Sequence, residues 1–295
     1  MTKAAPLPGF PVLVTGGFGA VGRLLRRAWA AQGVEPVFWH ARKAAEADLR
    51  ADLLTAGPVL VAALRGVSTV LHLAGPSRAG GQIHADLALA VLEAAGIAGV
   101  GQVFLASSAA VYGDATGPAA EDAPATPRSA YGVAKLAMEQ AARDWRAAAG
   151  ALAPRVACLR IGNVAGADLL LGGRGGSGPV ALDRLPDGRS PLRSYVGPQA
   201  LAAILARLMC RGAEAGDLPE VLNLALPGGV YMEALLAADG RDWTGRPAPE
   251  GVIGRLVLDM ARLSALVDLA SFAPTAEAIV ADLRGIEPLA RDLHT

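Results

Sequence analysis

Phe10-Pro11-Val12-Leu13-Val14-Thr15-Gly16-Gly17-Phe18-Gly19-Ala20-Val21-Gly22 is the stretch on which the fold turns. Its first half reads as a short buried strand. Arg23 to Gln32 then forms an apolar-periodic helix, with Gly33 just past its end. Gly16, Gly19 and Gly22 repeat as G-x-x-G-x-x-G across the strand-to-helix junction. Glycine is needed there for a tight turn, for approach of the backbone to a pyrophosphate and for close packing of helix on strand. Ala20 and Val21 open the helix, where amide donors and dipole both favour an anion. The turn predicts a dinucleotide phosphate site in preference to a bare structural βα turn.

Outward from this turn, strand and helix signals alternate through the first half of the chain, which predicts a parallel sheet covered on both faces. Strands are expected near 11–15, 36–40, 47–51, 69–74, 102–107 and 155–161, and helices near 20–32, 58–65, 84–98 and 130–149. Gly96 is read as closing the Ala85–Ala95 helix, and Ser129 as capping the helix that follows it. Beyond residue 165 the pattern loosens, and Gly172 to Gly178 is a flexible Gly-rich tract. Pro198 suits the first position of a helix reaching about Arg211; Val221–Ala225 reads as a strand, and Met232–Ala238 and Asp259–Leu266 as short helices.

Tyr131-Gly-Val-Ala-Lys135 follows Ser107-Ser108-Ala109-Ala110-Val111-Tyr112-Gly113. Residues four apart share a helix face, so the Tyr131 phenol and Lys135 ammonium can point to one place. A free tyrosine titrates at about 10 and is a poor base at neutral pH; a close ammonium together with a positively charged cofactor ring favours phenolate, a depression of about three units being worth roughly 4 kcal/mol. With a serine hydroxyl, the pair suits proton removal from an alcohol during hydride transfer to a cofactor. Alternation on a strand sends Ser107 and Ser108 to opposite faces. His72 reads as a structural histidine, and Tyr112 reads equally as a substrate neighbour or a packed aromatic.

Together these motifs resemble the NAD-dependent epimerase/dehydratase family of extended short-chain dehydrogenases/reductases. The resemblance covers most of residues 10–165 and is patchy afterwards. It implies an α/β, Rossmann-type doubly wound parallel sheet with a small C-terminal substrate-binding part. Residues 1–165 form the dinucleotide-binding domain and 166–295 mostly the substrate part, with about 196–225 returning to the core. It implies Ser108, Tyr131 and Lys135 as catalytic residues, with Lys135 also holding the nicotinamide ribose. Gly16, Gly19, Ala20, Val21, His40, Arg42, Asp52, Leu53, Asn163 and the fourth-strand motif ending Leu73-Ala74-Gly75 are expected at the cofactor. The implied activity is NAD(P)-dependent oxidoreduction or epimerisation of a secondary alcohol or ketone, such as a sugar or nucleotide sugar. The alternative is a catalytically silent NAD(P)-binding sensor on the same fold. Homodimerisation through the 84–98 and 130–149 helices is also implied.

The second strand leads into Trp39-His40-Ala41-Arg42-Lys43, with no carboxylate to bond a ribose 2′-hydroxyl and with bases able to meet a 2′-phosphate. The expectation is therefore NADP over NAD. Two departures from the family pattern concern the substrate. His84 stands near a usual asparagine, and Arg193-Ser194-Tyr195-Val196-Gly197-Pro198-Gln199 lacks both acids and the histidine of the family's stretch. Arg193 or Arg174 is left as a candidate for a phosphate.

In the chain of 295 residues, Lys plus Arg and Asp plus Glu number 27 each, which argues against nucleic-acid and anionic-membrane partners and for a small-molecule substrate. Cys158 and Cys210 sit in apolar contexts without metal spacing, the pattern of reduced thiols in a cytoplasmic protein. Residues 1–9 lack the apolar core of a signal peptide.

Overall fold

The computed structural model describes residues 7–76, 81–115, 117–150, 153–172 and 179–286. The first half alternates β1 (Val12–Thr15), α1 (Ala20–Gln32), β2 (Val37–Ala41), β3 (Leu49–Arg50), α2 (Gly57–Leu64), β4 (Thr69–His72), α3 (Ile83–Ala98), β5 (Gln102–Ser108), α4 (Ala130–Ala149) and β6 (Arg155–Ile161). Short strands β7 (Asn163–Val164), β8 (Val180–Arg184), β9 (Leu192–Arg193) and β10 (Tyr195–Val196) precede α5 (Pro198–Ala215) and β11 (Val221–Leu224). The chain closes with β12 (Val230–Tyr231), α6 (Met232–Asp239), β13 (Trp243–Pro247), β14 (Arg255–Leu256), α7 (Ala261–Leu266) and α8 (Ala276–Arg284).

Seven strands form one sheet in the order β11-β6-β5-β4-β1-β2-β3, every pair parallel. The order explains the unbroken apolar runs: with helices on both faces, Val12, Leu13 and Val14 are all buried. On one face α1 packs against α5, and the Trp29 indole of α1 donates to the Ala202 carbonyl of α5 at 2.8 Å. On the other, Leu60, Val91, Leu92 and Met138 of α2, α3 and α4 form a separate core. The chain moves from β1 outward through β2 and β3, then crosses to β4 and builds the other way. This reversal between β1 and β4 is the switch point at whose carboxyl end ligands bind in open α/β sheets.

Gly33 ends α1 in the left-handed conformation, as its position predicts. Ser129 caps α4, its hydroxyl accepting from the Gly132 amide at 3.0 Å. Gly96 does not end α3: it lies beneath Trp145 of α4, and the helix continues to Gly99, whose φ of 76° makes the stop. The third strand shrinks to two residues. The helix expected from Asp259 starts at Ala261, because the Asp259 carboxylate accepts the Ala261 amide at 2.7 Å and forms a turn. Features without a sequence precedent include α8, capped by Thr275, and three small sheets outside the main one: β10 with β7, β12-β9-β14, and the parallel pair of β8 with β13.

Candidate active site

The turn after β1 is held shut by backbone contacts. Gly19 donates to the Gly16 carbonyl at 2.9 Å, and Gly17 to the His40 carbonyl at 3.0 Å. Gly16 has φ of +73°, and a Cβ there would stand 2.7 Å from the Ala74 backbone. A Cβ on Gly22 would stand 2.6 Å from the Gly17 carbonyl, so helix and turn touch without side chains between them. Gly19 caps α1 without a side-chain oxygen, which leaves the first-turn amides of Ala20, Val21 and Gly22 directed to the cleft they line. This cradle fits a pyrophosphate: backbone donors and helix dipole converge where no Cβ can intrude.

Two cavities of about 310 Å³ and 420 Å³ share Gly16, Gly19, Leu73, Gly75 and Pro76, and so form a single trough. The larger is walled by His40, Arg42, Asp52, Leu53 and Ala74. The smaller is walled by His84, Ser108, Tyr131, Lys135, Asn163 and Asp168. The residues that the sequence assigns to a cofactor thus surround one continuous trough with the Ser108, Tyr131 and Lys135 side chains at one end. A dinucleotide fits this division, one base at each end of the phosphate turn.

His40 does not reach outward with a free nitrogen. Its Nδ1 accepts from the Gly16 amide at 3.3 Å, so Nε2 carries the proton and donates to the Ala51 carbonyl at 3.0 Å. Burial lowers its pKa and keeps it neutral. His40 therefore fastens the end of β2 to the phosphate turn, and of the two residues it is Arg42 that offers charge to the trough.

At the other end, α4 carries Tyr131 and Lys135 on one face. The Lys135 ammonium donates to the Ala106 carbonyl at 2.6 Å and lies 5.8 Å from the Tyr131 ring centroid. Burial pulls Lys135 down to about 8. The Tyr131 phenol moves the other way: burial raises it, opposed by its hydrogen bond with Ser108. In this structure desolvation prevails on Tyr131, contrary to the direction that the spacing alone suggests. Ser108 ends β5 with its hydroxyl accepting the Ala110 amide at 3.2 Å. Ser107, on the opposite face, donates to Glu139.

Two residues that the sequence did not assign to the site wall it, and a third follows Lys135 on α4 outside the lining of the trough. The His84 ring sits edge-on to Tyr131, centroids 5.7 Å apart at 77°. Burial first, and then the Lys135 charge, draws His84 down to about 4, while the nearby Pro76 carbonyl opposes this without reaching hydrogen-bond geometry. Asp168 accepts the Tyr195 hydroxyl and the Leu171 amide, both at 2.9 Å, and burial raises its carboxyl. Glu139 lies one turn beyond Lys135, an i+4 repetition of the Tyr131–Lys135 spacing that the sequence displays.

Other expected residues lie elsewhere. Arg193 spends its guanidinium on the carbonyls of Leu192, Ile253 and Gly254. Residues 173–178 of the Gly-rich tract, Arg174 included, lie outside the described residues. Tyr112 is a packed aromatic under Arg160, its hydroxyl donating to Asn223 at 2.7 Å. His72 is buried, bonded to the Thr15 hydroxyl at 2.7 Å.

The fold and this trough define a nucleotide-binding α/β protein with a serine, a tyrosine and a lysine at one end. A model of the NAD dependent epimerase/dehydratase family matches residues 12–177, and the chain belongs to that family. It is 36% identical over 196 residues to a UDP-glucose 4-epimerase of Azospirillum brasilense, across 58% of this chain and 53% of that protein. A UDP-glucose 4-epimerase of Corynebacterium glutamicum is 32% identical over 173 residues, across 53% and 52%. The chain thus spans about half the length of the curated relatives it matches. In fold it resembles a UDP-glucose-4-epimerase of Stenotrophomonas maltophila solved with NAD and formylated UDP-arabinopyranose, with TM-score 0.74, 21% identity and coverage of 95% and 99%. A dTDP-glucose 4,6-dehydratase of Streptomyces venezuelae, solved with NAD, gives TM-score 0.70 at 23% identity, covering 96% and 98%. Among the described residues no helix is long and apolar enough to cross a membrane.

Proposed function

We propose that the chain binds NAD and catalyses hydride transfer at a secondary carbinol carbon of a nucleotide sugar, with epimerisation as the net reaction. The observation that carries this reading is the convergence of Ser108, Tyr131 and Lys135 at one end of a trough that begins at the phosphate turn. The curated relatives named as UDP-glucose 4-epimerases support the substrate class. NAD, when bound, supplies the hydride acceptor and a positively charged ring. Tyr131 takes the hydroxyl proton as the hydride leaves and returns it when the keto group is reduced. Ser108 orients that oxygen, and Lys135 supplies the fixed charge that favours the phenolate and a donor for the nicotinamide ribose. Because the same phenol removes and restores the proton, epimerisation needs no net proton exchange with solvent.

NAD replaces the NADP expected from the missing carboxylate. His40 at that position is committed to Gly16 and Ala51, so its identity expresses a packing need and not a 2′-phosphate preference. The solved neighbours carrying NAD support the choice. We further place the protein in a reducing cytoplasm as a homodimer through α3 and α4, whose Ile97 and Val133 are 75% and 54% exposed.

The test supplies UDP-galactose and UDP-glucose with NAD and follows interconversion by proton NMR. Tyr131→Phe is expected to lower turnover by at least ~100-fold while cofactor affinity stays within about threefold. Turnover that survives Tyr131→Phe unchanged would sink the assignment, and cofactor binding without any turnover in the native protein would leave the silent sensor as the better reading.

A further inference from the structure

Lys135 is a buried cation with few counter-charges. The polar and charged groups around it come from four elements besides its own. His72 of β4 and His84 of α3 are drawn by burial to about 3 and about 4, so both are neutral at pH 7. Cys158 of β6 is pushed up to about 12 by burial and remains a neutral thiol. Arg160 of β6 is a second cation, and β5 presents the Ala106 carbonyl and the Ser107 hydroxyl. On α4 itself stand Tyr131, neutral because burial raises it, and Glu139. Asp168 walls the same cavity but is occupied by the Tyr195 hydroxyl and the Leu171 amide, which leaves Glu139 as the carboxylate whose charge bears on Lys135.

Its placement is built rather than incidental. The Glu139 side chain is 1% exposed and Arg160 6%. Arg160 grips the carboxylate with Nη2 at 2.7 Å and Nε at 3.1 Å, while Ser107 donates to the same group. Arg160 is fixed in turn by the Glu121 carbonyl at 3.1 Å and by the face of Tyr112. One buried anion, paired to Arg160, thus stands one helical turn from the buried Lys135, and it also ties down the residue preceding Ser108.

We propose that Glu139 is a positioning residue of the Tyr131–Lys135 pair: its carboxylate, aimed by Arg160 and Ser107, keeps Lys135 charged where hydride chemistry needs it and fixes the strand end that carries Ser108. The proposal rests on the hydride-transfer reading above for its consequence in turnover, though not for its electrostatics. Helix neighbours at i, i+4 have Cβ atoms about 6 Å apart, and across charge separations of roughly 6–8 Å one charge changes proton affinity by about 10- to 100-fold. Glu139→Gln deletes the anion and leaves Arg160 unbalanced, so Lys135 releases its proton more readily. Arg160→Gln deletes the competitor for Glu139, so Lys135 holds its proton more tightly. Glu139→Asp keeps the charge.

The experiment uses the full chain labelled with carbon-13 at lysine Cε. The sequence has only Lys3, Lys43 and Lys135, so three resonances are assigned by Lys3→Arg and Lys43→Arg. Lys135 is expected to titrate near pH 8 in the native protein. Its midpoint should move down in Glu139→Gln, up in Arg160→Gln and little in Glu139→Asp. With a nucleotide-sugar substrate, Glu139→Gln at pH 8 should lose at least ~10-fold in kcat relative to its own value at pH 6. Circular dichroism identifies folded variants, and the opposite signs mean that either charge-removing variant alone decides the matter if the other does not fold. Unchanged Lys135 midpoints in the folded variants would overturn the proposal, since a merely structural carboxylate lowers stability without moving that titration. Absence of turnover with a shifted Lys135 midpoint would instead overturn only the substrate reading.

Discussion

Replacing Lys135 by Met removes a charge whose effect on Tyr131 follows from one distance. The ammonium stands 5.8 Å from the Tyr131 ring centroid. At an effective dielectric of about 20, a unit charge at that separation stabilises a phenolate by about 3 kcal/mol, roughly a hundredfold in phenolate at fixed pH. Burial opposes ionisation of Tyr131, and its hydrogen bond with Ser108 offsets that only in part. In the native protein, activity should fall as pH rises past about 8 and Lys135 loses its proton. Lys135→Met should abolish the alkaline fall and lower kcat/KM at pH 7 by about 100-fold. Lys135→Arg keeps the charge, so its loss should be smaller despite the altered geometry. Initial rates of UDP-galactose conversion between pH 6 and 10, with NAD affinity measured separately, separate charge from ribose binding. An alkaline fall that persists in Lys135→Met, or a loss at pH 7 of less than about threefold, would refute the electrostatic role.

Arg42 lines the larger cavity without the committed contacts of His40. Arg42→Ala should weaken NADPH binding by roughly 10-fold and NADH binding by less than about twofold in fluorescence titrations; equal losses would remove Arg42 from any 2′-phosphate contact. His72 is held near about 3 by burial, below the 6.5 of an exposed imidazole. The unfolded chain thus binds a proton that the folded chain refuses, so stability is full above about pH 6.5 and declines as pH falls toward 3. At pH 5 the loss is about 2 kcal/mol. Urea unfolding at pH 7.5 and 5 should show that difference in the native protein and a smaller one in His72→Asn, and an identical pH dependence in both would contradict it.

The parallel sheet was legible because its information is local. A Gly-spaced turn, apolar runs and capping residues act within a few positions, so Gly33, Ser129 and Pro198 do what their places predict. Gly96 misled because its role is set by a distant partner. A glycine inside α3 accommodates Trp145 of the adjoining α4, and no property of the 85–96 sequence records that neighbour. The β8–β13 pair fails for the same reason: segments some sixty positions apart meet, and β13 is mostly exposed and carries no alternating apolar pattern.

The active-site end shows the same division within a few ångströms. Spacing placed Tyr131 and Lys135 together, but the sign of the shift on Tyr131 depends on how much water the fold removes, and burial prevails. Glu139 was likewise visible as a repeated i+4 interval after Lys135, yet the interval acquires meaning only when β6 brings Arg160 against Glu139. Substrate choice lies further along this scale. Arg193 keeps the family's residue type but is turned onto the carbonyls of residues 253 and 254, where it fixes a loop beside β9. A guanidinium already satisfied by backbone acceptors has little left for a diphosphate. Its retention in the sequence therefore reports the architecture of the C-terminal part, and the walls that select the sugar have to be sought in what that architecture surrounds, beginning with His84 and Asp168.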